Sequence, residues 1–240
     1  MQGKEFLEAY RVMEELLTNK YAKSKKNYSS VVMRFISEPE GQRFRERLNI
    51  CREIRNILTH SPRIGGQEVL TPSQQMVDTL YEVIEYLRRP PMALDFATPG
   101  EKIMTVGLDD RAYPLMNKME QRGFSHIPVM DQKCFFGIFS ISTLFSYILD
   151  HPGMPLDPEI TIGDFYDYLP IENHVSEAFL FMDKKATYWD VRRQLDTKSR
   201  QKKRMAAIFI TSSGLSDNHL LGMITPWDVL GEGARIMDSL

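Results

Sequence analysis

The stretch Gly222-Met223-Ile224-Thr225-Pro226-Trp227-Asp228 lies where a predicted strand gives way to a predicted helix. Leu220 to Ile224 is a short apolar run typical of a strand, and Pro226 suits the first position of a helix. Thr225 then stands at the N-cap, and Asp228 follows one turn along. A hydroxyl and a carboxylate therefore share one helix start, where they either cap the helix only or also hold a ligand.

This stretch ends the second copy of an approximate internal repeat. Each copy contains a helix, two short strands and a second helix, preceded by a further strand. In the first copy, the predicted elements are a helix at 111–122, strands at 127–130 and 134–139, and a helix from Ile141. In the second copy, they are a helix from Thr187, strands at 207–210 and 220–224, and a helix from Pro226. The shared order predicts two similar units of strand, helix, strand, strand and helix.

The first 90 residues show helical periodicity instead. One helix face carries Phe6, Tyr10, Met13, Leu17 and Tyr21. Further helices are predicted over 28–37, over 44–60 and after an N-cap at Thr71, with a loop over 61–70. We therefore expect an α+β chain, with an N-terminal all-α helical bundle at 1–92 and β-α-β-β-α domains at 98–152 and 158–236.

Composition excludes several classes of protein. The chain has 240 residues, of which 42% are hydrophobic and 26% are charged, so it is neither a disordered chain nor a coiled coil. The formal net charge is −2, with +2 on residues 1–95 and −4 on the remainder. A strongly basic nucleic-acid binder is therefore excluded, although RNA binding at a local site is not.

The chain also lacks the sequence features of a membrane or secreted protein. No run approaches the roughly 20 apolar residues that a membrane-spanning helix needs, and the N-terminus has no secretory signal pattern. The two cysteines, Cys51 and Cys134, are far apart and suit reduced thiols in a protein core. We expect a cytoplasmic protein with no membrane contact and no metal site.

Three stretches of the second half resemble the cystathionine-β-synthase (CBS) domain, a module that senses adenosyl ligands and usually occurs in pairs. Residues 182–191 resemble the end of its first strand and the following helix, and residues 125–129 resemble its central strand. Residues 222–228 match its Gly-x-x-Thr-x-x-Asp ligand motif. The resemblance covers about 98 to 235 and implies a tandem pair of CBS domains.

The resemblance implies an adenine nucleotide, AMP, ADP or ATP, or a related adenosyl compound, as a regulatory ligand. Its motif makes Thr225 and Asp228 the ribose contacts, and a carboxylate can accept two hydrogen bonds from a vicinal diol. Free amides at the same helix start favour a phosphate. Gly222 would leave space for a close ligand.

The same resemblance assigns the remaining ligand contacts. In the family, the adenine pocket uses the central strand, which points to Ala207 and Ile208. Basic residues just upstream often meet the phosphates, which points to Lys203 and Arg204. A solvated basic loop is the alternative explanation for these two side chains.

The first copy departs from the ligand motif. It keeps Gly137, but Thr143 stands where the family has the ribose-binding aspartate. Because a threonine cannot supply an ionised acceptor, we expect one competent nucleoside site, on Thr225 and Asp228, and a first site that is degenerate or binds something else.

In the helical half, Arg55-Asn56-Ile57-Leu58-Thr59-His60 resembles the Arg-x4-His motif of HEPN domains, helical modules that include metal-independent ribonucleases. The resemblance implies that Arg55, Asn56 and His60 form a catalytic site. Histidine can accept a proton near neutral pH, and arginine can stabilise phosphorane charge. Five helical residues rotate by about 140°, so the two side chains converge only if the helix ends near Thr59. Alternatively, Arg55 pairs with Glu53 or a neighbouring helix.

These features lead to three hypotheses. The first is a regulator whose CBS pair binds an adenine nucleotide and controls the helical domain or the dimer state. The second is a nucleotide-gated ribonuclease that acts through Arg55 and His60, and the third is a scaffold in which neither site works. A homodimer is expected because both families dimerise.

Overall fold

A computed structural model of the chain describes residues 2–22, 28–60, 63–64, 67–132, 134–196 and 203–231, with the backbone alone at 63–64 and 67–68. The chain divides into two compact units, Met1–Pro90 and Pro91–Leu240. Residues 232–236, the end of the second domain expected from the sequence, lie outside the described residues.

The first unit is helical. Its helices are α1 (Gln2–Tyr21), α2 (Val31–Ser37), α3 (Arg45–His60) and α4 (Gln74–Arg88), with a 3₁₀ helix at Pro39–Phe44. The predicted apolar face of α1 is confirmed, because Phe6, Tyr10, Met13 and Leu17 are at most 2% exposed. These side chains pack with buried residues of α2, α3 and α4 in one core.

Two local predictions in this unit are wrong. The segment predicted as a loop contains the antiparallel two-residue strands β1 (Arg63–Ile64) and β2 (Gln67–Glu68). The N-cap position of the last helix is Ser73 rather than Thr71, and the Ser73 side chain makes no capping hydrogen bond. Ser73 has the extended backbone that an N-cap requires, and serine is as good a capping residue as threonine.

The second unit is mixed, and its first sheet has three strands. These are β4 (Val106–Gly107), β5 (His126–Asp131) and β6 (Cys134–Ser140), in that order across the sheet. The β4–β5 pairing is parallel and the β5–β6 pairing is antiparallel. Two helices complete this repeat, α5 (Ala112–Arg122) before β5 and α6 (Ile141–Asp150) after β6. Cys134, expected in the core, is exposed at the start of β6.

The second sheet has four strands. They lie in the order β3 (Thr98–Pro99), β9 (Leu220–Ile224), β8 (Arg204–Thr211) and β7 (Glu177–Asp183). The helices are α7 (Tyr188–Asp196) and α8 (Pro226–Leu230). Both repeats thus follow the predicted order of strand, helix, strand, strand and helix, and the α+β class with an N-terminal helical region is confirmed.

Each repeat contributes a backbone segment to the sheet of the other. β3 precedes the first repeat but pairs with β9 of the second, with Thr98 opposite Met223. In the reverse direction, Ile138 in β6 donates its N–H to the Leu169 carbonyl at 2.8 Å, although Leu169 follows the first repeat. The two repeats are therefore interlocked and share an apolar core that includes Ile138, Ala207 and Phe209.

Glycines occur at the two crossing points because another segment of the chain passes close to each, with backbone over Gly137 and side chains over Gly222. A Cβ at Gly137 would lie 2.2 Å from the Leu169 carbonyl oxygen. A Cβ at Gly222 would lie 2.9 Å from the Ala97 Cβ. The expectation that Gly222 leaves space for a ligand is therefore wrong, since that space is filled by the protein's own chain.

In the described part of the chain, no helix combines the length and apolar character needed to cross a membrane.

Gly137→Ala tests the interlock. The added methyl group collides with backbone, which cannot rotate away, so we expect the free energy of unfolding to fall by about 1–3 kcal/mol. Gly3→Ala is the control, because a Cβ there has no neighbour within 4 Å. Urea denaturation measures the free energy of unfolding of both variants. Equal stability of Gly137→Ala and the unmodified protein would contradict this account of the crossing point.

Candidate functional site

Thr225 and Asp228 form a capping box where β9 ends and α8 begins. Both the Thr225 amide and its hydroxyl donate to Asp228 Oδ2, at 2.6 and 2.8 Å. Pro226 occupies the first turn of the helix, as predicted. The second carboxylate oxygen, Oδ1, has no hydrogen-bond partner among the residues that the structure describes. That oxygen is left available to accept a hydrogen bond.

The capping geometry alone does not make this pair a ligand site. Thr161 and Asp164 make the same two hydrogen bonds, at 2.7 and 2.9 Å. Thr187 and Asp190 also repeat them, at 3.0 and 2.8 Å. Any functional difference between the three boxes must come from their surroundings.

The surroundings of Asp228 are a cleft of about 270 Å³, which we call the Asp228 cleft. Three segments line it: Thr98 with 102–104, then 123–127, and finally Met223, Thr225, Trp227 and Asp228. The first two segments belong to the first repeat and its leading strand, and the third belongs to the second repeat. The pairing of β3 with β9 places the first segment beside the capping box.

Three side chains of the cleft have the chemistry of nucleotide recognition. Asp228 offers the free carboxylate oxygen described above. Trp227 is 80% exposed, an unusual position for a large aromatic ring that is able to stack on a base. Lys102 is exposed and supplies a cation suited to a phosphate. The cleft can therefore meet a hydroxylated sugar, an aromatic base and an anion together.

The other predicted ligand contacts do not line the Asp228 cleft. Ala207 and Ile208 are fully buried in β8 and are not among the residues that line the Asp228 cleft. Lys203 donates to the Glu172 carbonyl at 3.2 Å, and Arg204 contacts Glu177 at 3.1 Å. Ile208 lies opposite Ile224 in the β8–β9 pairing, so Ala207 and Ile208 lie beside the end of β9, where Thr225 follows. The assignment of these four residues to the ligand stays a prediction.

The corresponding capping pair of the first repeat is closed. Ser140 and Thr143 are at most 2% exposed and hydrogen-bond to each other across the start of α6. The Thr143 hydroxyl also donates to the Ile138 carbonyl at 3.2 Å. These contacts support the expectation that the first site is not a nucleoside site of the Asp228 kind.

A carboxylate from the second repeat occupies the space above this pair. Glu177 is 2% exposed and accepts hydrogen bonds from Ser140 at 3.0 Å, from His126 at 3.0 Å and from Arg204 at 3.1 Å. His174 lies 3.4 Å from the same carboxylate. We call these five residues the Glu177 cluster. Sequence reasoning missed it, because the five residues are scattered over about 80 positions.

The Glu177 cluster keeps its carboxylate ionised. Burial by itself raises the pKa of Glu177. Hydrogen bonds from His126 and His174, the charge of His126 and a hydrogen bond from Arg204 outweigh burial and hold the pKa of Glu177 well below its usual range. The carboxylate therefore acts as a fixed acceptor at the junction of the two repeats.

The residues of the predicted catalytic site lie on α3 of the helical unit. Arg55 pairs with Glu14 of α1 at 2.7 Å and donates to the Asn56 side chain at 3.1 Å. The helix continues through His60, which is exposed. A continuous helix places Arg55 and His60 about 140° apart, so one copy of the chain does not bring them together. The pairing with Glu14 agrees with the alternative interpretation, in which Arg55 pairs with a neighbouring helix.

Among the described residues, no group of three or more His, Cys, Asp or Glu side chains is arranged to hold a metal ion.

In sequence, residues 83–150 match the CBS domain family. The match covers the first repeat and the last residues of α4. No curated protein is significantly similar to the chain. A CBS domain is therefore present at residues 83–150, and the second unit is a CBS-like region of helices and strands.

Similar solved structures include complexes of other proteins with nucleotides. CBSX2 in complex with AMP is 18% identical, with 61% of this chain and 98% of that chain covered and a TM-score of 0.42. The CBS domain of a bacterial CNNM/CorC family Mg²⁺ transporter in complex with ATP is 14% identical, with 59% and 86% covered and a TM-score of 0.40. CbpB in complex with c-di-AMP is 18% identical, with 62% and 87% covered and a TM-score of 0.43.

The Glu177 cluster predicts an acid-sensitive stability. Because the folded-state pKa of Glu177 lies below its unfolded value of about 4.3, the ionised group stabilises the fold above that pH. This contribution is lost as the pH falls from about 5 towards 2. We expect Glu177→Gln to be less stable at pH 7 and to lose less further stability on acidification.

Urea denaturation at several pH values measures this difference. Glu172→Gln is the matched control, because it removes an exposed carboxylate five residues away and should keep the original pH dependence. The same pH dependence in Glu177→Gln and the unmodified protein would disprove the role of Glu177.

Proposed function

We propose that the second unit is a regulatory sensor that binds an adenine nucleotide, AMP, ADP or ATP, in the Asp228 cleft. The observation that carries this proposal is that Asp228, whose Oδ1 has no hydrogen-bond partner among the described residues, lines a cleft that also presents Trp227 and Lys102. The CBS domain found at residues 83–150 supports it, because that family senses adenosyl ligands.

Each part of a nucleotide has a partner in this cleft. The ribose diol donates to Asp228, whose Oδ2 is already held by Thr225, so the carboxylate does not need to reorient. The adenine ring stacks on Trp227 and contacts the apolar side chains of Ile103 and Met104. Lys102 pairs with the phosphate.

Regulation follows from the composition of the cleft. Its walls come from both repeats, so a ligand that contacts both walls binds more tightly to one arrangement of the repeats than to another. Such differential affinity is the only way in which a ligand shifts a conformational equilibrium. We propose that this shift controls the helical unit or the dimer state in the cytoplasm.

A second copy of the chain is the expected partner. α6 exposes Ile141, Phe145, Ile148 and Leu149 at helical spacing along one face. Exposed apolar stripes of this kind mark interaction surfaces in soluble proteins. This stripe supports the homodimer that the sequence predicts.

Asp228→Ala tests the sensor. Saturation with AMP, ADP or ATP at a hundred times Kd should stabilise the unmodified protein by about 2.7 kcal/mol, and Asp228→Ala should lose this stabilisation. Asp164→Ala is the matched control, since it removes the same capping hydrogen bonds at a position that does not line the cleft. Thermal unfolding of all three proteins, with and without each nucleotide, measures the stabilisation.

Tryptophan fluorescence gives a second readout. The chain has two tryptophans, and only Trp227 lines the cleft. Nucleotide should change the emission of the Trp189→Phe variant and leave the emission of Trp227→Phe nearly unchanged. Absence of both the thermal and the fluorescence response for every nucleotide in the panel would overturn the sensor function.

The nucleotide-gated ribonuclease stays a sequence-based prediction. Because α3 separates Arg55 from His60, such a site would need the same residues of a second copy. If the activity exists, the purified protein cuts RNA in the presence of EDTA, and His60→Ala removes the cleavage. Equal cleavage by His60→Ala would assign the activity to a contaminant.

A further inference from the structure

His126 belongs to both the Asp228 cleft and the Glu177 cluster. Its Nε2 lies 3.0 Å from Glu177 Oε1, and its Nδ1 lies 2.8 Å from the Ser125 hydroxyl. Both Ser125 and His126 line the Asp228 cleft. A chain of hydrogen bonds therefore runs from the buried carboxylate through the imidazole ring to a hydroxyl group in the cleft.

Glu177 determines which nitrogen of His126 carries a proton. The carboxylate is ionised and already accepts from Ser140 and Arg204, so it can only accept from His126. Nε2 is therefore the protonated nitrogen when His126 is neutral. Nδ1 then carries a lone pair and accepts the Ser125 hydroxyl hydrogen.

Protonation of His126 reverses the last hydrogen bond of this chain. When the ring takes a second proton from solvent, Nδ1 becomes a donor to the Ser125 oxygen. The Ser125 hydroxyl hydrogen must then point elsewhere, and Ser125 is an exposed residue on the wall of the cleft. Ser125 thus offers only lone pairs to the cleft when His126 is neutral, and it offers an O–H donor when His126 is protonated.

Among the residues that the structure describes, the charged and titratable groups near His126 belong to the Glu177 cluster and the Asp228 cleft. Glu177 contacts it directly, and His174 and Arg204 contact the same carboxylate. Lys102 and Asp228 line the cleft beside it.

We propose that Ser125 determines specificity in the Asp228 cleft and that protonation of His126 converts its hydroxyl from an acceptor into a donor for a ligand phosphate. This assignment rests on the proposed function of the cleft as a nucleotide site. The cleft then binds an anionic ligand more tightly at lower pH, while it binds a neutral nucleoside equally at both. Glu177 is the positioning residue that holds the ring.

The test uses two probes whose charge does not change with pH. Adenosine is neutral, and the methyl ester of AMP carries one phosphodiester charge throughout the range. Titration calorimetry on the full chain gives Kd for both probes at about pH 8 and about pH 5.5. The ratio of the two Kd values cancels any effect on the shared ribose and adenine contacts.

For the unmodified protein, we expect this ratio to change about tenfold in favour of the phosphodiester as the pH falls, which is the scale of one hydrogen bond to a charged group. Ser125→Ala should lose the pH response and still bind adenosine, because Ser125 is exposed and its loss should not disturb folding. His126→Gln, which keeps an N–H for Glu177 but does not titrate in this range, should also lose the response.

The outcomes separate this inference from the proposed function. A pH response that persists in Ser125→Ala would show that the charge of His126 acts alone and would overturn the assignment to Ser125. A ratio that does not change with pH in the unmodified protein would overturn the proton switch, while adenosine binding would leave the nucleotide site intact. Failure of both probes to bind at either pH would overturn the proposed function itself.

Discussion

The exchange of backbone segments between the two repeats is the constraint on which the second unit depends. β3 pairs with β9, and the Leu169 carbonyl accepts from Ile138 in β6, so each sheet is completed by chain that belongs to the other repeat. Unpaired strand edges are costly when they are buried, and this exchange satisfies them. Glycines at 137 and 222 allow the close approach that it requires.

The same exchange assembles the candidate site. Asp228 alone is one half of a helix cap, and it becomes a candidate ligand contact because the segment that follows β3 brings Lys102 and Ile103 beside it. The first repeat has a corresponding capping pair, Ser140 and Thr143, but Glu177 of the second repeat occupies the space beside it. The interlocked architecture therefore yields both the open Asp228 cleft and the buried Glu177 cluster, and His126 belongs to both.

Much of the local structure could be predicted from the sequence. Pro226 and Thr225 define the start of α8 through local backbone geometry, and the apolar stripe of α1 follows from helical periodicity. The errors were of two kinds. The β1–β2 hairpin, the N-cap at Ser73 and the exposure of Cys134 were misjudged locally. The space beside Gly222 holds protein chain rather than ligand, an error about which distant segment lies against a correctly predicted element.

The sequence by itself determined the helical first half, the order of elements in both repeats and the Thr225–Asp228 box, because periodicity and capping act within a few residues. Only the tertiary structure decided which of three equivalent Thr-x-x-Asp boxes lines the cleft with Lys102 and Trp227. It also decided that Glu177 joins His126, His174, Ser140 and Arg204. These outcomes depend on contacts between residues far apart in the chain, and no local pattern encodes such contacts.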